Sequence, residues 1–310
     1  MPSRQHERMK SGAFYLHQWL SLDLASLSRI RRFVNFAKYA LRMPTGVTAE
    51  PLKIGKIPAE WLMPAGVKSN KKSPILLYFH GGGYLVGSLD SHRGLVARIA
   101  EELGWPALHV DYRLAPEHTF PAALEDAEAV WKWLLAQGYD PLKIAIAGDS
   151  AGGGLILSAM VKMKELGLPL PFAAVCLSPW VDLTFSGHSA VAFAKHDPII
   201  IVPQVHRWAL AYAGKHELEH PEISPLYADL SGLPPTLIQA SDQEVLTDDA
   251  MRLKDVMEEA GVAVTLQIWK ETLHVWQLFW RTVPEAEEAV VAIARFLRQP
   301  QPITPAQTRQ

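Results

Sequence analysis

Only one of the 310 residues is a cysteine, Cys176. No intrachain disulfide can form, and a reducing, cytoplasmic location is the default expectation. Cys176 lies in the apolar run 172–178, where a cysteine reads as a small packing residue rather than a reactive thiol. No apolar run approaches the roughly 20 residues of a membrane span. The first ten residues are polar and carry no apolar core with a small-residue cleavage site, so no secretory signal is expected. Charge of one sign is also missing: the formal net charge is −2. That gives no electrostatic case for nucleic acid or an anionic membrane. The exception is local, since Leu24 to Ala49 holds no acidic residue but does hold Arg29, Arg31, Arg32, Lys38 and Arg42. A basic amphipathic helix can lie on a membrane. Its apolar positions, among them Phe14, Leu20, Leu27, Ile30 and Val34, read as a helix over 10–42 packed on its own protein.

What is present is a large core and a strand–helix rhythm. Apolar residues make up 49% and charged residues 20% of the chain, enough for one α/β domain with an accessory subdomain. Pro44 and Gly46 end the first helical stretch, and Val47 to Met63 reads as extended chain that could fold into a hairpin. Strands are then predicted at 74–79, 107–111, 143–147, 172–178, 236–240 and 264–269. Helices are predicted at 91–103, 122–137, 151–166, 247–260 and 285–298. Such alternation implies a mainly parallel sheet covered by helices on both faces. The rhythm fails between 182 and 233, where a His- and Pro-rich stretch with a helical piece near 203–213 reads as an insertion over the carboxyl end of the sheet. The tail from Gln299 is Gln/Pro-rich and reads as frayed.

The chemistry concentrates at Gly148-Asp149-Ser150-Ala151-Gly152, a G-x-S-x-G pattern between a predicted strand and a predicted helix. A serine on that sharp turn is pushed out of the sheet with its hydroxyl exposed. It needs a base, and His274, after the last strand and before the final helix, is placed to be one. The chain order nucleophile, acid, histidine puts the acid on the loop after 236–240. Asp248 and Asp249 sit behind Thr247 where a helix starts and read as partners of its dipole. Glu244 and Asp242 remain, and spacing does not choose between them. A second glycine-rich turn, His80-Gly81-Gly82-Gly83-Tyr84, follows strand 74–79. The backbone N–H groups of Gly82 and Gly83, with that of Ala151, would bind an oxyanion.

Two other patterns compete. His216-Glu217-Leu218-Glu219-His220 matches H-E-x-x-H, which binds zinc only on a helix. Pro221 follows at once, the flanks are polar and no third ligand is evident, so no metal is expected. Gly148 to Gly154 could cradle a phosphate, but it lacks G-K-[ST] and Asp149 would repel the anion.

Three stretches together resemble the bacterial hormone-sensitive-lipase-like (family IV) carboxylesterases, which are α/β hydrolases. They are His80-Gly81-Gly82-Gly83, then Asp111-Tyr112-Arg113-Leu114-Ala115-Pro116-Glu117-His118 running on to Phe120-Pro121-Ala122-Ala123, and Gly148-Asp149-Ser150-Ala151-Gly152. The resemblance implies an α/β-hydrolase core over 46–181 and 226–298, a helical cap from residues 1–45 and 182–225, and hydrolysis of small, short-acyl esters with no cofactor. It implies that Asp111 to His118 braces the oxyanion loop, with His80, Gly81, Tyr84 and Asp149 in supporting places. The family's usual acid motif, D-P-L-x-D-E, falls here on Glu244-Val245-Leu246-Thr247-Asp248-Asp249. The acid is then Glu244, as in a subset of the family, with Asp242 in reserve. Plant gibberellin receptors resemble the family without the catalytic histidine, so His274 favours an enzyme over a receptor. An amidase is the rival within enzymes. Relatives often dimerise, and an apolar edge strand at 264–269 could pair between subunits of a homodimer.

Overall fold

The computed structural model describes residues 3–8, 27–36, 41–67 and 70–299. Most of the helix expected over 10–42 and the tail beyond Gln299 therefore lie outside the described residues. Within that first stretch, α1 covers Leu27–Phe36.

Among the described residues, eight strands form one sheet. They are β1 Val47–Ile54, β2 Ile57–Pro64, β3 Ile75–Phe79, β4 Ala107–Val110, β5 Ile144–Asp149, β6 Ala173–Leu177, β7 Thr236–Ser241 and β8 Val264–Trp269, in the spatial order β1-β2-β4-β3-β5-β6-β7-β8. The extended segment after Pro44 is the hairpin β1–β2. Its two-residue turn at Gly55-Lys56 uses glycine at φ 61°, the left-handed conformation that matches strand twist. β2 joins β4 antiparallel, and β4 through β8 run parallel.

Alternation within the strands sorts the core into two layers. In β3, Leu77 and Phe79 pack on one face while Leu76 and Tyr78 pack on the other. Against the first face lie α3 (Ala122–Ala136), α4 (Ala151–Glu165) and α7 (Thr247–Glu259), through Trp131, Leu155 and Leu253. Against the second lie α2 (Leu89–Leu103) and α8 (Pro284–Arg298), through Val96, Ile99 and Ile293. Strands covered on both faces carry apolar side chains at nearly every position, as β3 does. Helix α2 begins two residues before the expected start, because Ser88 caps it in a reciprocal pair with Ser91. Cys176 is fully buried between layers, and burial pushes its thiol up to about 12, which suits an inert packing residue. No helix among the described residues is long and apolar enough to cross a membrane.

The inserted stretch carries α5 (Ser189–Ala192) and α6 (Val202–Ala213). Its departure from the core is pinned by two acids that the sequence placed merely at a helix dipole. Both do lie in the first turn of α7. Asp248 also accepts a hydrogen bond from Ser189 N at 2.9 Å. Asp249 accepts from Val181 N and Asp182 N, at 2.9 Å each. The dipole account is therefore incomplete: a buried carboxyl needs specific donors, and the backbone entering the insertion supplies them. Burial pushes the Asp249 carboxyl up to about 8, against those two backbone bonds, and the neighbouring Asp182 carboxylate adds to the rise.

The folded protein thus holds a proton on Asp249 that the unfolded chain gives up above the ordinary value of 3.8, so this group's contribution to stability falls as pH rises towards about 8. Asp249→Asn cannot ionise. In urea unfolding, the stability difference between this variant and wild type is expected to move in the variant's favour across that window; a difference independent of pH would contradict the account.

Candidate active site

Ser150 sits alone between β5 and α4, at φ 51° and ψ −121°. This is the sharp strand-to-helix turn that the pattern around it predicts. The turn is crowded: a Cβ on Gly152 would lie 2.1 Å from the Phe79 carbonyl oxygen, and one on Gly148 would lie 2.4 Å from that of Gly152. Only glycine fits at either place. The backbone is locked by Ser150 N donating to Leu177 O at 2.8 Å and Trp180 N donating to Ser150 O at 3.0 Å. The Ser150 hydroxyl does not cap α4, which leaves it free to face another partner.

That partner is His274, on the loop after β8. Its Nε2 lies 2.9 Å from Ser150 Oγ, and its Nδ1 lies 2.5 Å from Glu244 Oε2. The other oxygen of Glu244 accepts from Ser178 Oγ at 2.9 Å and from Ser241 N at 2.7 Å. Ser178 Oγ in turn accepts from Val275 N at 3.2 Å, so one hydroxyl ties the acid to the histidine loop. Asp242 goes elsewhere. Its Oδ1 accepts from Glu271 N at 2.6 Å and holds the turn that leads to His274. Of the two candidate acids, the structure brings Glu244 to the imidazole. Burial pushes His274 towards its neutral form. The hydrogen bond to Glu244, and the charges of Glu244, Asp197 and Asp149, outweigh burial and hold the ring above the ordinary histidine value.

The glycine-rich turn after β3 faces the same place. Gly82 and Gly83 have φ 115° and 60°, and both line a cavity of about 280 Å³ with Ser150 and His274. The rest of its wall is mostly carbon, from Ile30 and Val34 of α1, Val205 and Trp208 of α6, and Trp180, Phe185 and Leu278. Ala151 is the first residue of α4, where the N–H has no partner within the helix.

Asp149 supports this turn from behind. Its Oδ1 accepts from Tyr78 Oη at 2.8 Å and Gly81 N at 3.1 Å, and its Oδ2 lies 3.2 Å from His92 Nε2. Burial alone would push its carboxyl up, but His92, Tyr78 and His80 bring it below the usual carboxylate value. His80 stacks on Tyr112 with ring centroids 4.5 Å apart, and Tyr112 Oη donates to His80 O at 2.7 Å. Ala115 N donates to Tyr84 O at 3.0 Å, and the Tyr84 ring stacks on Tyr212 at 3.7 Å. The 111–118 stretch therefore does brace the turn.

The H-E-x-x-H match is not helical. The rings of His216 and His220 pack instead around Phe120, with centroids 5.0 and 5.4 Å from it. Sequence reasoning missed Ser178, Ser241, Tyr78 and His92. Serine after an apolar strand is too common to mark Ser178 and Ser241, and nothing in the chain order joins Tyr78 or His92 to Asp149.

A family model described as alpha/beta hydrolase fold matches residues 76–278. An acetyl-hydrolase of Streptomyces hygroscopicus is 40% identical over 258 residues, covering 83% of this chain and 84% of that one. An esterase of Acinetobacter venetianus is 32% identical over 305 residues, covering 93% and 98%. Among solved structures, an esterase from the bacterial hormone-sensitive lipase family superposes with a TM-score of 0.91 at 39% identity, covering 96% of this chain and 99% of that one.

A methyl group on Gly81 would lie 2.2 Å from Asp149 Oδ2 and 2.8 Å from the Asp149 carbonyl oxygen. Gly81→Ala must therefore displace the turn that carries Gly82 and Gly83. Its kcat for a chromogenic acyl ester is expected to fall about 100-fold or more, with KM changed far less. Wild-type kcat in this variant would show that the turn takes no part.

Proposed function

Because the chain belongs to the hormone-sensitive-lipase-like α/β-hydrolase family, we propose that it is a serine carboxylesterase acting on small, short-acyl esters through an acyl-enzyme. The observation that carries this reading is the unbroken line from Ser150 Oγ through His274 to Glu244, at 2.9 and 2.5 Å.

Neutral His274 takes the proton of Ser150 as Oγ attacks the ester carbonyl carbon. The C–O π electrons move to the carbonyl oxygen, and the N–H groups of Gly82, Gly83 and Ala151 receive the resulting oxyanion. Glu244 fixes the imidazole tautomer and stabilises the imidazolium. The tetrahedral intermediate collapses, the bond to the alkoxy oxygen breaks, and His274 gives that oxygen its proton. Water then attacks the acyl-enzyme with the same base, releasing the acid and restoring the serine. The cycle as written uses the side chains of Ser150, His274 and Glu244, the backbone N–H groups of Gly82, Gly83 and Ala151, and one water.

A cavity of about 280 Å³ with apolar walls suits a short acyl chain and an uncharged alcohol part. We assign α1 and the 182–225 insertion to a cap over the site, since Ile30, Val34, Ile199, Ile200, Val205 and Trp208 all face the cavity. Strand β8 ends the sheet with Ile268 38% exposed, an edge to which a second copy could add a strand. A reducing, cytoplasmic setting fits the single buried cysteine.

Hydrolysis of p-nitrophenyl esters of rising chain length tests the reading. Ser150→Ala and His274→Ala are each expected to lower kcat about a million-fold, and Glu244→Ala about ten-thousand-fold. Asp242→Ala should keep most of the activity. A Ser150→Ala enzyme with wild-type turnover, or an inert Asp242→Ala beside a fully active Glu244→Ala, would refute the assignments. The histidine must be neutral to act, so kcat/KM should rise with pH through a midpoint above 6.5, the ordinary histidine value. A midpoint below it would contradict the electrostatics of the site.

A further inference from the structure

The inserted segment carries a buried carboxylate that the chemistry above does not use. Asp197 is 3% exposed and lies between α5 and α6. Its Oδ1 accepts from Ile199 N at 2.8 Å and from Ile200 N at 2.9 Å. Its Oδ2 accepts from Val245 N at 2.9 Å. The first two donors belong to residues that line the substrate cavity. The third directly follows Glu244 in the chain and precedes Leu246, another lining residue. An aspartate that only formed a local turn would use one oxygen on the N–H groups two and three residues ahead. Asp197 does this with Oδ1, but Oδ2 crosses to a different element and holds the loop of the acid.

All three of these partners are neutral N–H groups, so no ion pair cancels the charge of Asp197 through them. That charge reaches His274, where it adds to those of Glu244 and Asp149. We propose that Asp197 is a positioning residue for the catalytic centre. It clamps the acid loop to the substrate-facing wall of the insertion, and it adds a fixed negative charge to the field that steadies the imidazolium. The proposal rests on reading Ser150, His274 and Glu244 as the catalytic three. Its consequence is that the part of the chain that shapes the cavity also contributes to the basicity of the histidine, beside the larger effect of Glu244.

The sign of the expected effect follows from the groups around the ring. Glu244 acts from the loop after β7, Asp197 from the insertion, and Asp149 from the end of β5, where it is itself paired with His92. Each negative charge favours the protonated ring. Removing one lowers the pH at which His274 becomes a free base, and at the same time makes the imidazolium harder to form in the transition state.

Two variants of the full chain test this. Asp197→Asn keeps an amide oxygen for Ile199 and Ile200 but carries no charge. Asp197→Ser keeps a short hydroxyl acceptor for the same turn, also without charge. Rates are measured against pH with p-nitrophenyl acetate and p-nitrophenyl hexanoate, with Ser150→Ala alongside. The acid-side midpoint of kcat/KM is expected to move down by about half a pH unit or more in both variants. The kcat is expected to fall about tenfold, and KM to rise more for the hexanoate than for the acetate as Ile199 and Ile200 lose their anchor. Each rate is divided by the folded fraction measured at the same pH, so a variant that folds poorly still reports the midpoint. A merely structural residue would lower kcat and leave the midpoint in place. An unchanged midpoint in both variants, whatever happens to KM, overturns the proposal. If Ser150→Ala is inert in the same experiment, that failure belongs to Asp197 alone; if Ser150→Ala is active, the catalytic reading itself has failed.

Discussion

Ser150 is held at φ 51°, in a region that non-glycine residues avoid at a cost of order 1–3 kcal/mol. The conformation survives because its surroundings over-determine it. Gly148 and Gly152 leave room for β3 to press against the turn, and Leu177 O and Trp180 N fix its backbone from the neighbouring strand end. Once the turn is fixed, several other placements follow. Asp149, one residue earlier, is aimed at Gly81 and sets the glycine-rich turn. Ala151, one residue later, opens α4 with its N–H unpaired within the helix. Ser178, where the chain leaves β6, reaches across to the acid.

In the proposed mechanism, charge in the site is arranged around His274, the group that takes up the proton and gives it back. His274 is buried, which disfavours a cation. Three carboxylates counter that, and each is held by hydrogen-bond donors of the surrounding fold. Glu244 takes Ser178 and Ser241, Asp149 takes Tyr78 and Gly81, and Asp197 takes the backbone of the insertion and of the acid loop. Fixed donors keep the charges in place before the proton moves, so little reorganisation is needed at the moment of transfer. The carboxyl of Asp249 is handled the opposite way and is kept protonated by burial.

Much of this was legible in the chain. The strands alternate with helices in the predicted places because apolar periodicity reflects burial on two faces, and β3 to β8 each fall within a residue or two of expectation. Ser150 and His274 could be read because both sit at strand ends, where position in the chain predicts position in space. Glu244 could not be separated from Asp242 by spacing, since both follow β7 closely. The likeness to the family chose Glu244, and the geometry shows what Asp242 does in its place: it holds Glu271 N. Residues that act through another residue left no local trace. Tyr78 is one of five apolar-facing positions in a buried strand, and Asp197 lies in a stretch without periodicity. Their roles depend on long-range contacts that sequence order does not encode.

Covalent trapping tests the central claim most directly. An aryl phosphonate that reacts with activated hydroxyls is incubated with the protein, and the labelled peptide is identified by mass spectrometry. One phosphonyl group per chain, on Ser150, with labelling slowed by orders of magnitude in His274→Ala, is the result predicted here. A label on another residue, or labelling of Ser150 at the same rate without His274, would contradict it.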